Sequence, residues 1–192
     1  MKKLEQYYNN TKNIPPNYIT QKFIKLKIKP TNAIELGCGA GRDTEYLIKN
    51  DWEVLAIDKE DVKSIITSRL SKEEQKNFKF SKQEFENIQL EKTNLIVANF
   101  SLPFCNQKQF EKLWNKINES ILKNGYFVGN FFGNNDEWKK QEEEMTFLTK
   151  EQVIELFKNF EIIDFKEVEK DCFNGLGIMK HRHIFNVIAK KK

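Results

Sequence analysis

Short apolar runs alternate with segments of helical period along most of the chain. Strands are predicted at 32–38, 52–58, 78–83, 95–100 and 126–132. Helices are predicted between them at 42–50, 60–70 and 107–123. In the last of these, Phe110, Leu113, Trp114, Ile117 and Ile121 share one face, and Lys123-Asn124-Gly125 is a stop signal. Strand–helix alternation of this kind builds a parallel sheet covered on both faces. The C-terminal part differs. A helix at 149–158 leads into strand-like stretches at 160–168, 171–177 and 183–189, with Asn174-Gly175 as a turn signal. That pattern predicts an antiparallel pair closing the sheet. Pro15-Pro16 separates an N-terminal arm from a helix that starts near Asn17, with Ile19, Phe23 and Ile24 roughly on one face.

Composition changes this α/β picture little. At 192 residues the chain suits one domain, 1–192, with residues 1–30 as an arm and helix able to act as a lid. No apolar run reaches the length of a membrane span, and Met1-Lys2-Lys3 is not followed by an apolar signal core. Cys38, Cys105 and Cys172 are too few and too scattered for a disulfide framework or a zinc site, so a reducing, cytoplasmic setting is expected and no metal. The net charge of +4 is uneven: residues 1–30 carry seven lysines against Glu5 alone. Such a segment could attract an acidic partner, nucleic acid included; a solvated lysine face is the plainer reading.

The candidate chemistry starts at Glu35-Leu36-Gly37-Cys38-Gly39-Ala40-Gly41-Arg42-Asp43, where an apolar run ends in three alternate glycines and a helix begins. Seventeen residues beyond Gly41, the second strand ends in Asp58. Strand, glycine turn, helix, strand and acid suit a nucleoside-bearing cofactor, whose ribose hydroxyls an acid at that place accepts. A dinucleotide site wants G-x-G-x-x-G, but Arg42 stands at the third glycine. Glu35 would also repel a pyrophosphate. S-adenosylmethionine (SAM) has no phosphate and carries sulfonium and ammonium charges, which an acid favours.

At these residues the chain resembles the class I SAM-dependent methyltransferases. The resemblance implies a Rossmann-like three-layer sandwich with a mostly parallel seven-stranded sheet and an antiparallel last strand. It implies that Gly37, Cys38, Gly39 and Gly41, with Glu35 and Arg42 beside them, form the turn under the methionine part of SAM. Asp58 would bind ribose, with Lys59 next to it; Glu84 and Phe85 would meet the adenine amino group and ring. Asn99 and Phe100 would run past the transferred methyl. The family more often has Asp where Glu84 stands. The Asn/Asp-Pro-Pro-aromatic motif of enzymes that methylate base or glutamine amino groups is replaced by Asn99-Phe100-Ser101-Leu102.

Methyl transfer asks the protein to align two reactants rather than to supply a nucleophile. A weak catalytic signature is therefore expected, and the candidates are few. His181 and His183 are two apart and share a strand face, where they could act as base or ligands; a polar strand start is the plainer reading. Tyr8, after Tyr7, could close over the cofactor. In length and short motifs the chain is most similar to the small tellurite-resistance and thiopurine-type methyltransferases. That implies a small-molecule acceptor, a soft sulfur, selenium or tellurium nucleophile, and a monomer or homodimer. The alternatives are methylation of RNA or protein, and a SAM-binding regulator without turnover.

Overall fold

The computed structural model describes residues 8, 11, 14–141, 144–173 and 177–192. Eight strands form one sheet in the order β3-β2-β1-β4-β5-β8-β7, with β6 paired to β5. They are β1 (Asn32–Leu36), β2 (Glu53–Asp58), β3 (Phe78–Lys82), β4 (Thr93–Ala98), β5 (Ile121–Gly133), β6 (Phe147–Leu148), β7 (Phe160–Phe173) and β8 (Met179–Lys191). The first five pair in parallel, while β8 runs antiparallel to both β5 and β7. The α-helices are α1 (Tyr18–Ile24), α2 (Arg42–Ile48), α3 (Lys63–Thr67), α4 (Gln107–Ser120) and α5 (Lys150–Leu156).

Side-chain alternation along the strands makes two cores. Leu47 and Ile48 of α2, Ile66 of α3 and Phe23 of α1 pack with Ala33, Val54 and Val97 on one face. Trp114 and Ile117 of α4 and Val153 of α5 pack with Ile34, Ile96 and Phe127 on the other. This is the expected three-layer α/β arrangement, with the β4–β5 centre buried on both sides.

The sheet has one strand more than the seven expected. Along β5, pairing with β4 ends at Gly129, and two residues of β6 take over beside Phe132 and Gly133. A two-residue strand leaves no period to read in the sequence. The stretch expected at 160–168 and the start of the one expected at 171–177 are one continuous strand, β7, which ends at Phe173 and shifts register between Ile162 and Asp164. The Asn174-Gly175 turn lies outside the described residues. The helix expected at 60–70 shrinks to α3, where Val62 offers no side-chain cap. The helix expected to 123 ends at Ser120, because Ile121 already pairs with Thr93.

Candidate active site

The glycine turn lies at the carboxyl ends of β1 and β4. Gly37 and Cys38 both donate their N–H to the Ile57 carbonyl, at 2.8 and 3.1 Å, and Gly41 N–H closes the turn on Cys38 O at 2.8 Å. All three glycines have positive φ, and each faces a different neighbour. A Cβ on Gly37 would collide with Ser101, and one on Gly41 with Ile66 of α3. At Gly39 a Cβ would meet, among the described residues, the Tyr8 ring at 3.8 Å. The first and third glycines therefore serve packing.

A narrow cleft, partly open to solvent, is lined by Thr11, Glu35, Gly37, Cys38, Gly39, Ala40, Arg42, Asp43, Asn99 and Phe100. Glu35 is buried and accepts a short hydrogen bond from the Thr44 hydroxyl. Burial, and then the nearby Asp43, push its carboxyl well above the ordinary range. Asp43 is also raised by burial, against the hydrogen bonds it accepts. The buried Cys38 thiol is pushed well up by desolvation and by Glu35 and Asp58, which keeps it neutral. Asp58 accepts from Gly39 N–H at 2.8 Å and from Glu60 N–H at 3.0 Å. A carboxylate has room for about four donors, so two places remain for ribose hydroxyls.

The sequence-derived residues thus divide. Glu35, Gly37, Cys38, Gly39, Arg42, Asn99 and Phe100 line one cleft, Gly41 supports it from behind, and Asp58 reaches it through Gly39. Tyr8, from the arm, lies buried against the same turn. Lys59 and Glu84 are exposed, and Phe85 packs on the α4 core; none of the three lines the cleft. The Asn99 side chain is turned inward, donating to Thr20 Oγ1 at 2.7 Å and Asp43 Oδ2 at 2.8 Å. Asp43 Oδ1 accepts the Asn17 N–H at 2.7 Å, which ties the start of α1 to the cleft.

The histidines do share a face, but it is not the face of Phe100. Phe132 opposes Ile184 in the ladder, and the Arg182 guanidinium lies 4.2 Å from the Phe132 ring, so Arg182 and Phe132 are on one side and His181 and His183 on the other. His183 is buried and occupied: Nε2 is 3.0 Å from Glu167, and Nδ1 accepts the Asn135 N–H at 3.3 Å. His181 is partly exposed between Asp171 (2.8 Å) and Glu169 (3.3 Å), and those two carboxylates, Asp171 first, raise its pKa.

The segment after β5, Phe131 to Trp138, stands where the resemblance implies a substrate wall, and Phe132 and Trp138 do form an aromatic wall beside the cleft; sequence reasoning missed that Phe104 joins them. Phe132 lies 6.2 Å from Phe100, 6.5 Å from Phe104 and 5.9 Å from Trp138. Phe104 is 54% exposed and Phe100 37%. Exposed rings grouped beside a cleft mark a binding surface more often than scattered ones do. The Arg182 guanidinium sits over both rings, 4.2 Å from Phe132 and 4.3 Å from Trp138, with Nη1 3.3 Å from Asp136. Phe100 and Phe104 follow β4, Phe132 to Trp138 close β5, and Arg182 comes from β8; the β4–β5 and β5–β8 pairings bring the three segments together.

A family model described as tellurite resistance protein TehB matches residues 1–172. No curated protein sequence matches the chain. Among solved structures, TehB from Haemophilus influenzae superposes with a TM-score of 0.79 at 18% identity, over 95% of this chain. The chain spans only 64% of that protein's length. A 1,6-didemethyltoxoflavin-N1-methyltransferase from Burkholderia thailandensis, holding its substrate and S-adenosylhomocysteine (SAH), gives 0.70 at 16% identity over 92% of this chain and 77% of its own. The N-methyltransferase NodS from Bradyrhizobium japonicum, with SAH, gives 0.69 at 14% over 99% and 97%.

Proposed function

The chain belongs to the TehB family, and on that premise we propose that it transfers a methyl group from SAM to a small-molecule acceptor. The observation that carries this reading is the acidic, glycine-floored cleft. Glu35 and Asp43 line it, and Asp58 holds its turn through the Gly39 N–H. These residues fit a cationic nucleoside and would repel a pyrophosphate. Bound SAM supplies a methyl carbon already activated by its sulfonium.

Each remaining task falls to a residue described above. Glu35 presents a carboxylate to a cation entering the cleft. Asp58 offers its free lone pairs to ribose hydroxyls. Tyr8 and Thr11 cover the turn and keep water from it. Phe100, Phe104, Phe132 and Trp138 form an apolar acceptor side, which orients a reactant and excludes solvent. The ring nitrogens of His183 are engaged by protein groups, and both histidines lie on the far face of β8. No general base stands on the aromatic side among the residues described there. An acceptor that attacks as a soft sulfur, selenium or tellurium anion needs none. The B. thailandensis enzyme, which has a small heterocycle bound, supports a small acceptor on this fold. No described helix is long and apolar enough to cross a membrane.

Calorimetry with SAM, SAH and NAD, followed by SAH release over a panel of thiols, selenite, tellurite, RNA and protein, tests the proposal. SAM and SAH bind, NAD does not, and a small acceptor turns over. Binding of NAD without SAM would remove the cofactor assignment. Turnover of RNA or protein alone would remove the small-molecule acceptor.

A further inference from the structure

Asn130 stands in the middle of β5 with no exposed surface, in a stretch where Phe127, Val128, Phe131 and Phe132 are apolar. Both ends of its carboxamide are engaged. Oδ1 accepts the Phe100 N–H at 2.7 Å, and Nδ2 donates to Asn99 Oδ1 at 3.4 Å. Phe100 has a φ of 52°, a left-handed conformation that a bulky residue avoids unless its surroundings impose it. Its ring lines the cleft and meets Phe132. A polar side chain buried in a strand, bonded to the backbone of a strained residue at the mouth of a cleft, calls for a reason beyond packing.

We infer that Asn130 is a positioning residue for methyl transfer. By accepting the Phe100 N–H it holds Phe100 left-handed and so fixes the ring that separates the cofactor cleft from the acceptor side. This rests on the methyltransferase reading above. Returned to ordinary φ, Phe100 would redirect its Cα–Cβ bond and the ring would leave the wall. Leucine at 130 would lack the acceptor. Aspartate would keep the acceptor but could not donate to Asn99 Oδ1, and it would bring a charge toward Asp43.

The test labels position 100 with 4-fluorophenylalanine and follows its ¹⁹F resonance with and without SAH. The parent gives one narrow signal that moves when SAH is added. In Asn130→Ala the signal is displaced and its response to SAH is lost, while SAH affinity by calorimetry stays within about threefold. Asn130→Asp, which retains the acceptor oxygen, keeps most of the parent's signature. A second measurement places Asn130→Ala in Phe100 and Phe100→Gly backgrounds. Glycine adopts left-handed φ without steric cost, so the urea midpoint falls less in the glycine background. Where Asn130→Ala does not fold, Asn130→Ser takes its place in both experiments. An unchanged ¹⁹F signal and SAH response, or equal losses in the two backgrounds, overturns the inference. If SAH does not bind the parent, the methyltransferase reading fails instead. The ligand-free ¹⁹F signal and the background comparison then still decide the role of Asn130.

Discussion

If Glu35 meets the SAM cation as proposed, stability and ligand binding oppose each other at this residue. Burial, and then Asp43, raise its folded pKa well above the ordinary carboxylate range, so the folded protein holds this proton more tightly than the unfolded chain does. Its presence is then harmless at acid pH and destabilising once pH passes through the raised value. Glu35→Gln should therefore unfold at a higher temperature than the parent at pH 8, with the difference vanishing toward pH 4. SAM affinity should run the other way. It should rise with pH in the parent as Glu35 ionises, and be weaker and rise less in Glu35→Gln, where Asp43 is the raised carboxyl that remains; titration calorimetry across that range checks both. Asp58→Ala should weaken SAM binding by roughly 1–3 kcal/mol, because ribose donors lose their acceptor. Part of that loss comes from freeing Gly39 N–H, and Asp58→Asn, which keeps one acceptor oxygen, should lose less. Glu35, Gly39 and Asp58 were legible in the sequence because a turn and the strands flanking it carry them all. Asn130 left only a faint signal, a lone amide in an apolar strand, because its partner Phe100 lies 30 positions away.

At the scale of elements, α3 depends on a glycine it does not contain. Gly41 combines a φ of 75° with an Ile66 side chain where its Cβ would stand. Gly41→Ala should cost about 1–3 kcal/mol through strain and collision. Adding Ile66→Ala should recover the collision part but not the strain, as urea unfolding of the single and double variants will tell. The sequence located α3 but not its length, because a helix of five residues draws its stability from packing rather than from its own caps. The long amphipathic α4 was legible for the opposite reason: Phe110, Leu113, Trp114 and Ile117 keep one face over two turns and all enter one core. Strand β7 was read as two strands because its side chains are mostly exposed, so no inward face marks its course.

At the scale of the whole molecule, the N-terminal segment and the cleft behave as one unit. Tyr8 lies on the turn, Thr11 lines the cleft, and Asn17 is bonded to Asp43. Removing residues 1–13 should leave a folded sheet and weaken SAM about tenfold, or 1.4 kcal/mol. Retained affinity would mean that the arm covers the cleft without holding ligand. Intact protein at one hundred times the dissociation constant should gain about 2.7 kcal/mol from SAM, read as a shift in thermal midpoint. The end of β5, on the sheet face away from Phe132, carries a different kind of dependence. The ring of His183 fills the space where a Cβ on Gly133 would stand, and its Nδ1 takes the N–H of Asn135 just beyond. Positions 133 and 183 are therefore one locus split across 50 residues of chain. Among relatives that keep this ladder, any side chain at 133 requires a smaller residue at 183, and the anchor of the Asn135 loop then has to be supplied from elsewhere.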